Sequence, residues 1–314
     1  MKLKEIFNLA VRLGIKNDFR SPTEIKDYLA RIKKQYQKMS PTEKKFFNRE
    51  KLTNPYLDSA VHYDNGKNIK KILAGIDIDT AELLIAQKLK VDAALAHHPL
   101  GMGLSHLAEV MQMQADILAH YGIPINVAES LLHIRKQEVF RSVNPANHFK
   151  TPMAARNLDM NLVNIHTPAD NLVANFLRQL IKKERPLFVG EILEILEKIP
   201  EYREAKKQGV GPTLFAGKKE NRAGKIAISE ITGGTEGSDK IYQAMAQAGI
   251  GTVISMHQSE KHREAAEKAH INVVIAGHMS SDSLGMNLFL DELEKRGIKI
   301  IPASGLIRVS RVKK

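Results

Sequence analysis

Three short stretches carry most of the side chains in this sequence that can do chemistry: Ala96-His97-His98-Pro99-Leu100-Gly101, Asn164-Ile165-His166-Thr167-Pro168-Ala169-Asp170-Asn171 and Ala276-Gly277-His278-Met279-Ser280-Ser281-Asp282. Each pairs histidine with apolar residues running up to it, and two add a carboxylate four residues later. Imidazole nitrogen and carboxylate oxygen are the ligands that first-row divalent ions prefer. The chain has no cysteine, so disulfides, thiolate sites and cysteine nucleophiles are excluded. Two adjacent histidines inside a strand would face opposite ways, but in a turn opened by Pro99 they can converge or serve neighbouring ions. A spacing of four places His278 and Asp282 on one face of a helical turn. Asp170 reads either as the cap of a helix beginning near Asn171 or as a carboxylate shared by two cations, with His166 hydrogen-bonded behind it. With His166 set behind Asp170, the stretches supply three histidines and two carboxylates, the donor set of a two-ion site that activates water for attack.

The elements around these stretches alternate in type. Ile72–Ile76 reads as a strand, 80–89 as a helix, 91–96 as a strand ending at His97, 107–120 as a helix and Pro124–Val127 as a strand. The order returns with 225–231, a helix over 238–248, 252–256 ending at His257, a helix near 259–269 and 272–276 ending before His278. Leu162–Ile165 is one more strand. Strands alternating with helices imply βαβ units and largely parallel sheets, whose ligands sit beyond the carboxyl ends of the strands. The expected fold class is therefore α/β: two α/β lobes, over residues 61–170 and 171–314, around a shared metal cleft, with a basic helical N-terminal extension over residues 1–60. Between strand and helix, Gly233-Gly234-Thr235-Glu236-Gly237-Ser238 reads as a plain βα turn or as a phosphate cradle, but not as a Walker loop, since no Gly-Lys-Ser/Thr ending follows.

In the extension, Leu3, Ile6, Phe7, Ala10, Val11 and Leu13 form one apolar stripe that Gly14 is expected to stop, and Ser21-Pro22-Thr23-Glu24 and Ser40-Pro41-Thr42-Glu43 are capping boxes. Net charge is +12 over 314 residues. Residues 1–71 hold 17 Lys and Arg against 8 Asp and Glu, a net of +9. Such an arm either forms a solvated helical surface or attracts nucleic acid or an acidic partner. No apolar run reaches the length of a membrane span and the first residues lack a signal-peptide pattern, which leads to the expectation of a cytoplasmic protein with no membrane partner.

At AHHPLG, NIHTPADN and AGHMSSD, supported by GGTEGS, the sequence resembles the Ngg-interacting-factor-three family, also called dinuclear-metal-centre hexameric proteins or GTP cyclohydrolase I type 2 homologues. The resemblance covers about residues 55–310. It implies His97, His98, Asp170, His278 and Asp282 as ligands of two divalent ions per subunit (zinc, manganese or iron) and leaves His166 behind them. It also implies a homohexameric ring with the metal sites facing an inner cavity, and a metal-dependent hydrolase of a nucleotide or phosphorylated small molecule. The other expectation is a non-catalytic metal-binding scaffold, or a module that meets nucleic acid through its basic arm. Asp282 stands where the family usually has Glu, HTPAD where it usually has HTNLD, and Met256-His257 where it has Thr-Gly before a later histidine. His257 is then either an added site residue or a strand-end histidine. Residues 122–160 are longer than in short members, and the basic arm has no counterpart there.

Overall fold

The computed structural model describes residues 1–312. Nine strands form two sheets: β1 (Ala60–Tyr63), β2 (Lys71–Gly75), β3 (Ala93–Ala96), β4 (Asn161–Asn164), β5 (Thr213–Ala216), β6 (Lys225–Glu230), β7 (Ile250–Ser255), β8 (Asn272–Ile275) and β9 (Lys299–Ala303). The first sheet has the order β1-β4-β3-β2-β9 and the second β5-β8-β7-β6. Within the first, β4, β3, β2 and β9 run parallel and only β1 is antiparallel. In the second, β6, β7 and β8 are parallel and β5 closes the edge antiparallel to β8. This is a mixed α/β fold with N-terminal helices. Strand β9 lies near the end of the chain, so the stretch 171–314 returns a strand to the first sheet.

Burial explains the central strands. Residues 72–75 and 93–96 are fully buried and read as near-continuous apolar runs, as parallel strands covered on both faces do. One face of the first sheet packs against the helices Leu3–Asn17 and His278–Glu294 through Leu3, Ile6, Ala74, Leu95, Phe289 and Leu290. The other packs on Thr80–Lys88 and Lys150–Asn157 through Leu83, Ala94 and Ala155. The helix Leu3–Asn17 is thus core rather than a loose arm. Its apolar stripe does not stop at Gly14, because the helix continues to Asn17. A Cβ at Gly14 would lie 2.9 Å from Pro168 Cα, so this glycine allows two helices to touch. Both predicted capping boxes form, on Pro22–Lys38 and Pro41–Phe46.

Two expected elements differ. Pro124–Val127 is not a strand but the start of the helix Ile125–Val143, where Ala128, Leu132 and Val139 turn inward at helical spacing. The three residues after Pro124, apolar at Ile125 and Val127, are too few to separate the two patterns, and the longer period decides. The helix expected over 107–120 breaks at Met111 into Leu107–Val110 and Gln112–His120.

Candidate metal centre

The first sheet delivers His97 and His98 directly beyond β3 and His166 two residues beyond β4; the second delivers His278 beyond β8. Both parallel sets point their carboxyl ends at the same space. Asp170 and Asp282 come from helices that leave those ends. Thr167–Glu184 begins three residues before Asp170, so the cap position belongs to His166 and the carboxylate sits one turn inside the helix. The capping explanation of Asp170 therefore fails. His278 opens the helix His278–Glu294 behind Gly277, whose φ of 110° and tight approach to Ser280 and the Val210 carbonyl suit only glycine. A second glycine sets the distance between the carboxylates. A Cβ on Gly285 would lie 2.5 Å from the Ala169 carbonyl oxygen, so the two helices cross in direct backbone contact beside Asp170 and Asp282.

The six side chains converge. His97 Nε2 lies 3.4 Å from Asp170 Oδ1 and 3.5 Å from Asp282 Oδ1. His98 Nε2 and His278 Nε2 lie 3.3 and 3.5 Å from Asp282 Oδ2. His166 Nε2 lies 3.7 Å from Asp170 Oδ2, so its ring faces the cluster rather than standing behind it. Two groups have ligand atoms close enough to share an ion: His97, His98 and Asp282, and His97, His166 and Asp170. His97, Asp170 and Asp282 are buried, at 0, 2 and 1 % exposure.

Partners on the far side fix which nitrogen looks inward. His97 Nδ1 donates to the Ile165 carbonyl at 3.1 Å. His98 Nδ1 is 2.8 Å from Asp77 Oδ1, and His166 Nδ1 is 2.8 Å from Asp58 Oδ2, which also accepts from Thr167 Oγ1 at 2.5 Å. A neutral imidazole that gives its Nδ1 proton outward keeps a bare lone pair on Nε2, the form that binds a cation. Asp58 and Asp77 were not singled out in sequence. Neither lies in a motif, and only the observed pairing of β1 with β4 and the turn after β2 bring them here.

This arrangement leaves polar atoms unpaid. Among the described residues, His97 Nε2, Asp170 Oδ1 and both Asp282 oxygens are buried with no hydrogen-bond partner. Separations of 3.3–3.7 Å exceed ordinary N–H···O bonds, which cluster near 2.9–3.0 Å. They match the edge, about 3.3–3.6 Å, of a tetrahedron whose corners stand roughly 2.0–2.2 Å from its centre, the range of zinc–nitrogen and zinc–oxygen bonds. The donor set fits a divalent cation.

Electrostatics say the same for the protein alone. Burial raises Asp170 to about 6 although His166 and His97 pull it down. Burial alone would lower His166, but the Asp170 and Asp58 carboxylates lift it to about 9. Burial lowers His278 to about 4 despite Asp282. Burial works to raise Asp282, yet His97 and His98 hold it well below the usual carboxylate range. Two buried carboxylates demand positive charge, and without a cation protons must supply it.

His257 follows β7 and joins the rim. Its ring centroid is 4.5 Å from that of His278, its side chain is 42 % exposed, and its Nδ1 is 3.9 Å from Glu236 Oε2. The glycine-rich loop is tied to its neighbours through one amide and two carbonyls. Its Gly237 amide donates to Glu230 Oε2 at 3.0 Å, the Gly233 and Thr235 carbonyls accept from Gln114 Nε2, and a 3-10 turn at Asp239–Ile241 leads into the short helix Tyr242–Gln247. A loop that holds two glutamates repels an anion.

No family model and no curated protein matches the sequence. Among solved structures, a NIF3 superfamily protein from Sphaerobacter thermophilus is similar, with 28 % identity, a TM-score of 0.69, and 80 % of this chain and 92 % of that one covered. Reduced HcgD from Methanocaldococcus jannaschii is similar in fold, with 19 % identity, a TM-score of 0.50, and coverage of 83 % and 94 %.

Proposed function

On a chain that is NIF3-like at the level of its fold, we propose that His97, His98, His166, Asp170, His278 and Asp282 hold two divalent ions and that the protein is a metal-dependent hydrolase of a phosphorylated small molecule. The observation that carries this reading is the set of buried, partnerless acceptor atoms facing one another: His97 Nε2, Asp170 Oδ1 and both oxygens of Asp282. Asp282 and Asp170 each lie within 3.5 Å of His97 Nε2, which supports one shared centre. Zinc, manganese and iron suit nitrogen and carboxylate donors. When bound, such ions supply Lewis-acid polarisation and water activation.

The chain's own residues have separate tasks in this proposal. Asp58 and Asp77 orient His166 and His98 through Nδ1. Tyr56 and Asn171 tie the helix Thr167–Glu184 to the N-terminal helix: Tyr56 Oη donates to Asp18 at 2.8 Å, and Asn171 Nδ2 donates to the Gly14 carbonyl at 3.2 Å. His257 is half-exposed beside His278 and has no carboxylate within hydrogen-bond reach, so its imidazole is free to carry a proton to or from a leaving group. The homohexameric ring implied by the sequence resemblance belongs to the same proposal, and sedimentation or light scattering reads its mass directly.

Elemental analysis of protein purified without added metal tests the centre. Near two equivalents of a first-row metal per chain, lost in His98→Ala plus His278→Ala, is the expected result. Near-zero metal in the wild type, or metal retained by the double variant, overturns it. A metal-loaded protein inert towards a broad panel of phosphomonoesters, phosphodiesters and nucleotides removes the hydrolase and leaves a metal-binding scaffold.

A further inference from the structure

The metal centre leaves the basic charge near the N-terminus unexplained. The structure divides that region in two. The helix Leu3–Asn17 is core, whereas Pro22–Lys38 buries only Ile25 and Pro41–Phe46 buries nothing. Residues 22–51 hold nine Lys and Arg against four Asp and Glu. Three of the four acids have other occupations. Glu24 and Asp27 line the cavity of about 570 Å³ between this helix and residues 109–129, and Glu43 caps its own helix through the Ser40 amide at 2.7 Å. Lys26, Lys33, Lys34, Lys38 and Lys45 are exposed, and none forms an ion pair among the described residues.

Aromatic groups accompany these lysines in space, although the sequence shows no regular interleaving. The chain folds back after Lys38, so Phe47 meets Tyr36 with ring centroids 4.8 Å apart, and Lys44 Nζ stands 5.4 Å from the centre of the Tyr36 ring. That packing fixes the direction of the short helix Pro41–Phe46. Phe46, next in the chain, is turned out to 86 % exposure. From Lys26 to Lys38 the helix rises about 18 Å at 1.5 Å per residue. A row of free ammonium groups beside an outward aromatic ring is the pairing that holds single strands: charge follows the phosphates while a base stacks on the ring. Lipid fits less well, because one exposed ring gives little apolar area to insert and the apolar side of Pro22–Lys38 faces the protein.

We propose that the outer faces of Pro22–Lys38 and Pro41–Phe46 bind single-stranded nucleic acid, with Lys26, Lys33, Lys34, Lys38 and Lys45 on the phosphates and Phe46 against a base. The test uses the full chain, because deleting residues 1–60 would remove the buried first helix. Fluorescence anisotropy with a labelled oligothymidylate of about 12 nucleotides, and its RNA equivalent, reads affinity against salt. Four to five phosphate contacts give a log–log slope of about −3, so affinity falls roughly 60-fold between about 50 and 200 mM salt. K33E/K34E halves that slope and weakens binding at least about tenfold, and Phe46→Ala weakens it by about tenfold. A control of equal charge change elsewhere, K182E/K183E, costs less than about threefold. Circular dichroism confirms that each variant is folded. No binding at about 50 mM salt overturns the proposal. So does an equal loss in the control, a duplex bound as tightly as the single strand with Phe46→Ala silent, or a preference for phosphatidylserine vesicles over both oligonucleotides.

Discussion

Gly285→Ala is the sharpest test of how the fold builds the cluster. The added Cβ would start 2.5 Å from the Ala169 carbonyl oxygen and 3.0 Å from its carbon. Both atoms are backbone, so no side chain can swing away. Ordinary carbon–oxygen contact needs the helices Thr167–Glu184 and His278–Glu294 to part by roughly 0.5–0.9 Å. Overpacking of this kind costs about 1–3 kcal/mol. The larger effect falls on the site. Asp170 is the residue next to Ala169, and Asp282 lies three residues before Gly285, so the separation passes to both carboxylates. They now stand 3.4 and 3.5 Å from the same His97 Nε2. Metal–ligand distances tolerate only about 0.2 Å, and loss of supporting interactions around ligands typically weakens metal affinity about 10–100-fold. A loss in that range is expected, read by competition with a chromogenic chelator, together with a lower melting temperature for the metal-free protein. Wild-type affinity and stoichiometry in a variant that melts like the wild type would refute the claim that this crossing sets the carboxylates.

Three further outcomes follow from the same geometry. Asp58→Asn keeps the shape but weakens the anchor of His166 and Thr167, so affinity for metal is expected to fall about 10–100-fold by the same chelator competition; unchanged affinity would remove Asp58 from the site. His257→Asn leaves metal content unchanged and, if the proposed hydrolase is right in using this proton carrier, lowers turnover by about 10²–10⁴; equal turnover in the variant assigns His257 to the rim alone. His62 tests the fold's response to acid: burial lowers it to about 4, against the weaker opposing effect of its contact with Asn164. Its folded value lies below the unfolded one, so its contribution is complete above about 6.5 and is lost as pH falls towards 4, at up to ~1.4 kcal/mol per pH unit. His62→Gln should flatten the acid limb of stability measured by urea unfolding between those limits, and parallel curves would show that His62 is not the group responsible.

Much of this was legible because parallel strands announce themselves. Val91–Ala96 and Asn272–Ala276 are largely apolar, short and followed within two residues by histidine, and the structure places β3 and β8 there. The i, i+4 spacing of His278 and Asp282 survived into a real helix. What could not be read was anything fixed by contact across the chain. Gly14 and Gly285 look like a helix stop and a weak helix residue, and only the crossings with Pro168 and Ala169 reveal why glycine stands there. Asp58 lies more than a hundred residues from His166 and acts on it through a 2.8 Å bond. The direction of the His166 ring is a contact of this kind too, since a ring two residues beyond a strand can turn either way. The Asp58 and Thr167 bond at its base decides the direction, and that bond depends on β1 lying antiparallel to β4. The strand expected at Pro124–Val127 failed for a different reason: its few residues fit two periods, and the helical one prevails over nineteen residues.

The division of the clustered side chains between the sheets has an energetic consequence. His97, His98, His166 and Asp170 follow strands of the first sheet, whereas His278 and Asp282 follow β8 of the second. Neither sheet alone assembles the cluster. Bringing two carboxylates to 2 % exposure or less costs several kcal/mol per charge after relaxation, and like charges in one cavity add to it. The packed interface between Thr167–Glu184 and His278–Glu294 must offset that cost in the protein alone, and the raised Asp170 and His166 show protons sharing the task. A bound cation removes the repulsion at its source, so its binding free energy appears as adhesion between the two halves of the molecule. On this view the crossing itself positions the short Asp282 side chain. With Gly285 against Ala169, the two helices approach closely enough for that side chain to reach both His97 and His98.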